Sequence, residues 1–115
     1  MTNEEVKAWL GRYAKAQRIV SRLQSEYLAF GMKKKYLPRL TDAERNAERI
    51  LDEIMDVLEQ LSCEEEKAVI SARYLQLCSW EEVCIVVHYE WAQTHRFHAK
   101  ALRELSALIQ KHDTQ

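Results

Sequence analysis

Glycine and proline are scarce in this chain, whose 115 residues include two glycines and one proline. A β-sandwich or a β-barrel needs such residues at its many tight turns, so their scarcity excludes both architectures. Ala, Glu, Lys, Leu and Arg instead make up about half of the sequence, which is the composition of long helices and coiled coils. The chain is therefore expected to be all-α.

Long apolar runs are also missing, and the first residues, MTNEEVKAW, are polar and acidic. Neither a transmembrane helix nor a secretory signal is expected, which predicts a cytoplasmic protein without a membrane partner. The three cysteines are widely spaced and include no CxxC pair, a pattern typical of free thiols.

The common motifs of catalysis do not occur: there is no glycine-rich phosphate loop, GxSxG elbow or HExxH pair. Cys84 and His88, with His95 and His98, could suggest zinc, but their spacing matches no closed Cys/His framework. We therefore expect no enzyme activity, no metal or other cofactor and no small-molecule substrate.

The net charge of −1 conceals an uneven distribution along the chain. Residues 1–40 carry a net charge of +6, residues 41–72 carry −7, and residues 73–115 are neutral overall. Such asymmetry indicates either pairing between two segments of the chain or a basic segment that contacts a polyanion.

Four Ser/Thr-x-x-Glu sequences predict helix starts. In such a capping box the hydroxyl accepts a hydrogen bond from the third backbone N–H, while the glutamate bonds back to the cap. The four are Thr2–Glu5, Thr41–Glu44, Ser62–Glu65 and Ser79–Glu82.

Two long helices are predicted in the first half of the chain, over residues 3–30 and 42–61. Gly31 suits the left-handed position after the first helix, and Pro38 cannot continue that helix. Both carry heptad patterns, which predict an antiparallel helical hairpin in residues 1–62, with a homodimer through the first helix as the alternative. The seam of the first helix is formed by Val6, Trp9, Tyr13, Ala16, Val20, Leu23, Tyr27 and Phe30.

The second half predicts three closely joined helices over residues 64–76, 80–87 and 91–111, the arrangement of a helix-turn-helix unit. Trp80 is interpreted as a residue that packs between these helices. A small core is expected from Val69, Ala72, Val83, Val87, Phe97, Ala101 and Leu105, because their spacings place them on facing sides of the three helices.

Residues 61–105 also carry a specific pattern. An acidic-apolar segment ends in Arg73-Tyr74, the sequence SWEEV begins at Ser79, and the sequence HRFH at residues 95–98 precedes Ala101-Leu102. The pattern resembles the helix-turn-helix of region 4 of bacterial primary sigma factors. It is more similar still to the sigma-like regulators of phages and prophages, the RinA/ArpU-type late-transcription regulators.

The resemblance implies an N-terminal helical hairpin followed by a sigma region 4-like domain in residues 63–115. It also implies sequence-specific binding of double-stranded DNA, regulation of late genes, RNA polymerase as a further partner, and a bacterial host cell. The residues that would read bases are Trp91, Ala92, Gln93, His95 and Arg96. Those that would contact the DNA backbone are Arg73, Ser79 and Lys100.

The chain departs from the family pattern at the turn, where His88-Tyr89-Glu90 replaces the usual Gly-Tyr-Ser. His88 must then adopt a conformation that glycine adopts easily. The neutral helix-turn-helix segment also needs positive charge from elsewhere, because phosphate neutralisation supplies much of DNA affinity. Lys33, Lys34 and Lys35, with Arg39, are the candidate source; a solvated loop is the alternative. The alternative function is a helical protein-interaction module that does not bind DNA and contacts RNA polymerase or a sigma factor.

Overall fold

The computed structural model describes residues 1–113, and every regular element within them is helical. The expectation of an all-α chain is therefore confirmed. Within this range no helix has the length and hydropathy needed to cross a lipid bilayer. The helices are α1 (Asn3–Leu10), α2 (Arg12–Ala29), α3 (Leu37–Leu58), α4 (Glu64–Ile70), α5 (Trp80–Val87) and α6 (Trp91–Asp113).

The first predicted helix begins as expected but is not continuous. The Thr2 capping box is formed, and Gly31 has the positive φ of 75° expected after the helix. The expectation of one helix over residues 3–30 is wrong at Gly11, which separates α1 from α2. Glycine disfavours a helix interior, and the Arg12 Nε donates to the Trp9 carbonyl oxygen at 3.0 Å beside the break. α1 packs against α6, whereas α2 packs against α3.

The expected start of the second long helix is also corrected. α3 begins at Leu37, so Thr41 lies within the helix and does not cap it. Pro38 occupies the first turn, where its missing N–H costs no hydrogen bond. Pro38, which was expected only to prevent continuation of the first helix, therefore lies in the first turn of α3.

The Ser62 cap is the second incorrect cap. The residue before α4 is Cys63, and it forms no side-chain cap. The Ser62 N–H and hydroxyl both donate to Glu104 Oε1 on α6, at 3.3 and 3.2 Å. Contact with another helix has replaced the local hydrogen bond. The predicted helix over residues 64–76 is likewise divided, because α4 continues into a π-helical turn, Ser71–Leu75.

α2 and α3 pack along each other and run in opposite directions, since Arg12 at the start of α2 contacts Glu53 near the end of α3. Val20 and Leu23 of the predicted seam are buried in the main core, as is Ala16. Val6 is buried there from α1, and Trp9, Tyr13 and Tyr27 pack at its margin. Phe30 is exposed and lies outside the seam.

The main core also includes the end of α6, where Leu105 and Ile109 are fully buried. It therefore draws on both sides of the boundary predicted at residue 62. A second, smaller cluster joins α4, the π-helical turn, α5 and α6 through Val69, Ala72 and Val83, with Val87 and Phe97 packed against them. Ala101 and Leu105, expected in this small core, belong to the main core instead.

Candidate nucleic-acid interface

α5 is a two-turn helix with a complete N-terminal cap. Glu82 N–H donates to Ser79 Oγ at 3.2 Å, and Ser79 N–H donates to Glu82 Oε1 at 2.9 Å. These bonds hold the pKa of the Glu82 carboxyl below its ordinary value. The SWEEV sequence thus begins α5 where the capping pattern placed it, and Trp80 packs against the small core as interpreted.

Three residues join α5 to α6, and the first has left-handed geometry. His88 has φ of 62° and ψ of 38°, which confirms the expectation that it adopts the conformation glycine adopts easily. The Tyr89 ring lies edge-on to Phe97, with centroids 5.0 Å apart. Glu90 supplies its carbonyl oxygen to Thr94 N–H at 2.9 Å, so α6 starts immediately after the turn.

The residues predicted to read bases differ in exposure at the start of α6. Trp91 is 53% exposed, and Ala92 and Arg96 are exposed as well. Arg96 Nη1 donates to Gln93 Oε1 at 2.7 Å, so the two side chains are held together on the surface of one helical turn. These four residues form a polar and aromatic face at the N-terminal end of the longest helix.

His95, the fifth residue predicted to read bases, contacts other aromatic rings instead of joining this face. Its ring contacts those of Trp80 and Trp91 in a tilted stack, with centroid distances of 4.3 and 4.5 Å and interplanar angles of 39° and 45°. This half-buried stack joins α5 to the start of α6. His95 therefore positions Trp91 rather than projecting beside it.

Arg73 lies at the Trp80 end of the same stack. Its guanidinium carbon lies 5.0 Å from the Trp80 ring centroid, and its Nη1 donates to the Cys78 carbonyl oxygen at 2.9 Å. The side chain thus stabilises the turn that leads into α5. It forms no ion pair with Glu66 in the described part of the chain, where the Glu66 carboxylate is fully buried.

The half-buried Tyr74 and the buried His98 form a pair next to this stack. The Tyr74 hydroxyl lies 2.8 Å from His98 Nε2, and the His98 ring meets Trp80 edge-on at 4.7 Å. Burial, with smaller effects from the charges of Lys7, His95 and Arg73, lowers the pKa of His98 to about 4. Burial also raises the pKa of Tyr74 to about 12. Both groups are therefore neutral near pH 7.

Because His98 of this pair is held neutral in the folded state, we expect the protein to lose stability in mild acid. Folded His98 stays neutral down to about pH 4, whereas its pKa in the unfolded chain has the ordinary value of 6.5. Between these values the unfolded state binds more protons, so acidification favours unfolding. Between pH 7 and pH 5 we expect the unfolding free energy of the wild type to fall by about 2 kcal/mol more than that of His98→Gln, measured by urea denaturation.

The control is His88→Asn, which replaces an exposed histidine by another residue that tolerates left-handed geometry. It should retain the pH dependence of the wild type. A wild type and a His98→Gln variant with the same pH dependence would show that His98 is not held neutral by its surroundings.

The predicted backbone-contact residues lie in different places. Ser79 and Arg73 adjoin the stack, and Lys100 is exposed farther along α6. Lys33, Lys34 and Lys35 lie at the exposed tip between α2 and α3. The remaining length of α2 separates this tip from Lys15 by about 20 Å or more, at 1.5 Å per helical residue.

A basic groove beside Arg73 was not predicted from the sequence. Lys7 of α1 and Lys15 and Arg18 of α2 line it together with Arg73. The spacing of residues 7, 11, 15 and 18 is that of one helix face, which is the signal that could have identified it. The contact of that face with Arg73, however, depends on the packing of α2 against the π-helical turn that carries Arg73.

Among the described residues, no group of three or more His, Cys, Asp or Glu side chains is arranged to hold a metal ion. No protein-family model matches the chain, and no curated protein or solved structure is significantly similar to it.

Proposed function

We propose that the protein is a sequence-specific regulator of transcription that binds double-stranded DNA through α5 and α6. In this interpretation α2 and α3 form the helical hairpin of residues 1–62, and α4 to α6 form a sigma region 4-like helix-turn-helix in residues 63–115. The protein is of phage or prophage origin and acts in the bacterial cytoplasm on late genes, together with the host RNA polymerase.

The main support for this proposal is the arrangement of α5 and α6. A short capped helix, α5, is joined by a three-residue turn to α6, whose first residues are exposed while its end is buried in the main core. A recognition helix needs this arrangement, because its N-terminal residues must enter the major groove while the rest of the helix is held rigidly. Arginine can pair with guanine in two hydrogen bonds, and glutamine can do so with adenine.

DNA binding is tested with a random-sequence duplex library from which bound sequences are selected and amplified. We expect a preferred sequence to emerge and to bind less tightly as salt rises, because bound cations are released from the phosphates. Arg96→Ala should weaken binding to that sequence by about 1–3 kcal/mol and reduce its preference over a scrambled duplex. Fluorescence anisotropy measures both effects.

Arg103→Ala is the matched control. Arg103 is an exposed arginine on the same helix, two turns beyond Arg96 and farther from the helix start. Its loss should leave the base preference intact. Equal effects of the two variants would remove the base-reading role of Arg96, and no DNA binding even at low salt would overturn the proposed function.

A protein-interaction module that contacts RNA polymerase or a sigma factor is the second candidate. It is favoured by the outer face of α5, where Ile85 is 71% exposed and Val86 49% exposed. Val86 and Tyr89 line a shallow apolar depression whose edge includes Glu64 and Glu65. Binding of purified RNA polymerase that is lost in Ile85→Asp, with no DNA binding by the protein alone, would favour this function over the first.

A further inference from the structure

The basic groove lies between α1, the start of α2 and the turn that precedes α5. It encloses about 500 Å³, and its floor is formed in part by small residues at the break, Ala8, Gly11 and Ala14. A second depression lined by Ala14, Arg18 and Leu77 continues it along α2. The result is an elongated concave surface rather than a closed pocket.

The groove is strongly positive. Four cations line it, Lys7, Lys15, Arg18 and Arg73, against one carboxylate, that of Glu4. Glu4 pairs with Lys7 at 3.2 Å. Lys15 and Arg18 form no ion pair within residues 1–113, and both are exposed.

The acidic helix α3 does not neutralise this basic surface. In the part of the chain that the structure describes, α2 and α3 share one ion pair, between Arg12 and Glu53 at 3.4 Å. Lys15 and Arg18 remain available for a ligand outside the chain.

The groove is continuous with the face that carries the start of α6. Arg73 lines the groove and also lies over Trp80, while Trp80 stacks on His95 and His95 on Trp91. Three ring contacts of 4.3 to 5.0 Å therefore connect Arg73 to Trp91.

We infer that this groove binds backbone phosphates of the DNA segment that flanks the bases contacted by α6. Lys15 and Arg18 donate hydrogen bonds to the phosphate oxygens, and Lys7 adds positive charge beside them. The inference rests on the proposed function and identifies where a neutral helix-turn-helix obtains its electrostatic affinity. It assigns that role to α1 and α2 instead of the Lys33–Lys35 tip.

The test compares two charge-matched double variants in the full chain. Lys15→Gln/Arg18→Gln removes two exposed cations from the groove, and Lys33→Gln/Lys34→Gln removes two exposed cations from the tip. Binding to the selected duplex and to a scrambled duplex is measured by anisotropy over a series of salt concentrations. Circular dichroism checks that both variants retain the helical content of the wild type.

We expect the groove variant to bind both duplexes about tenfold or more weakly and to reduce the salt slope by about two, one for each lost phosphate contact. The tip variant should keep the wild-type slope. An unchanged slope in the groove variant, or equal losses in both variants, would overturn the inference.

These outcomes separate the inference from the proposed function. If the wild type selects a DNA sequence but the groove variant binds it as well as the wild type does, the inference alone fails. If the wild type binds no DNA at low salt, the proposed function fails and the inference fails with it.

Discussion

Replacement of Val20 by aspartate is expected to unfold the N-terminal helices rather than dissociate a dimer. Val20 is 6% exposed and lies in the main core, where α2 packs against α3. A carboxylate there would be buried without a partner, which costs several kcal/mol and exceeds the usual effect of a single substitution. We expect a loss of about 4 kcal/mol or more in unfolding free energy, measured by urea denaturation and followed by circular dichroism.

The neighbouring residue provides the control. Ile19 is 44% exposed, so Ile19→Asp adds the same charge to the same helix at a position in contact with water. Its effect should stay within about 0.5 kcal/mol, as for most surface substitutions. A Val20→Asp variant that is fully folded and monomeric, from a wild type that is dimeric by light scattering, would instead place Val20 in an intermolecular seam.

Trp80→Ala is expected to have the second large effect, a loss of about 3 kcal/mol in unfolding free energy. The Trp80 ring contacts the rings of His95 and His98 on α6 and the guanidinium of Arg73 before α5. Removal of this ring leaves a cavity where α5, α6 and the segment before α5 meet. Because the same ring positions the start of α6, DNA affinity should fall together with stability.

Trp91→Ala is the matched control for Trp80. Trp91 stacks on the outer side of His95 and is 53% exposed, so its loss should cost about 1 kcal/mol or less. It should nevertheless weaken DNA binding if Trp91 contacts bases. Equal losses of stability in the two variants would show that Trp80 is not the residue that joins α5 to α6.

Local capping signals predicted some helix starts correctly and others wrongly. Thr2 and Ser79 form the predicted capping boxes, and Gly31 takes the predicted left-handed conformation. Thr41 and Ser62 carry the same local pattern but do not cap. Pro38 starts α3 earlier, and Glu104 on α6 takes the hydrogen bonds of Ser62.

The break at Gly11 was missed because the heptad spacing continues through it. Val6 and Ala16 are both buried, although they belong to α1 and α2 on opposite sides of the break. Periodicity reports which residues are apolar and does not detect a single residue at which the regular helix is interrupted. α1 packs against α6, and residues of α1, of α2 and of the segment before α5 line the basic groove.

The candidate interface was predictable in part. The sequence indicated that the start of α6 carries the relevant residues, and four of the five named ones lie together on its surface. It did not indicate that His95 stacks between Trp80 and Trp91, or that Arg73 bonds to the Cys78 carbonyl. Those contacts join residues from separate helices, and no local spacing encodes them.

The most direct test of the proposed function is an amide NMR titration of the full chain with the selected duplex at low and at physiological salt. We expect changes in amide chemical shift at Ser79 and the start of α5, at residues 91–96, and at Lys15 and Arg18, with residues 33–35 unaffected. An absence of chemical-shift changes at low salt, or changes confined to residues 33–35, would contradict the proposed DNA contact.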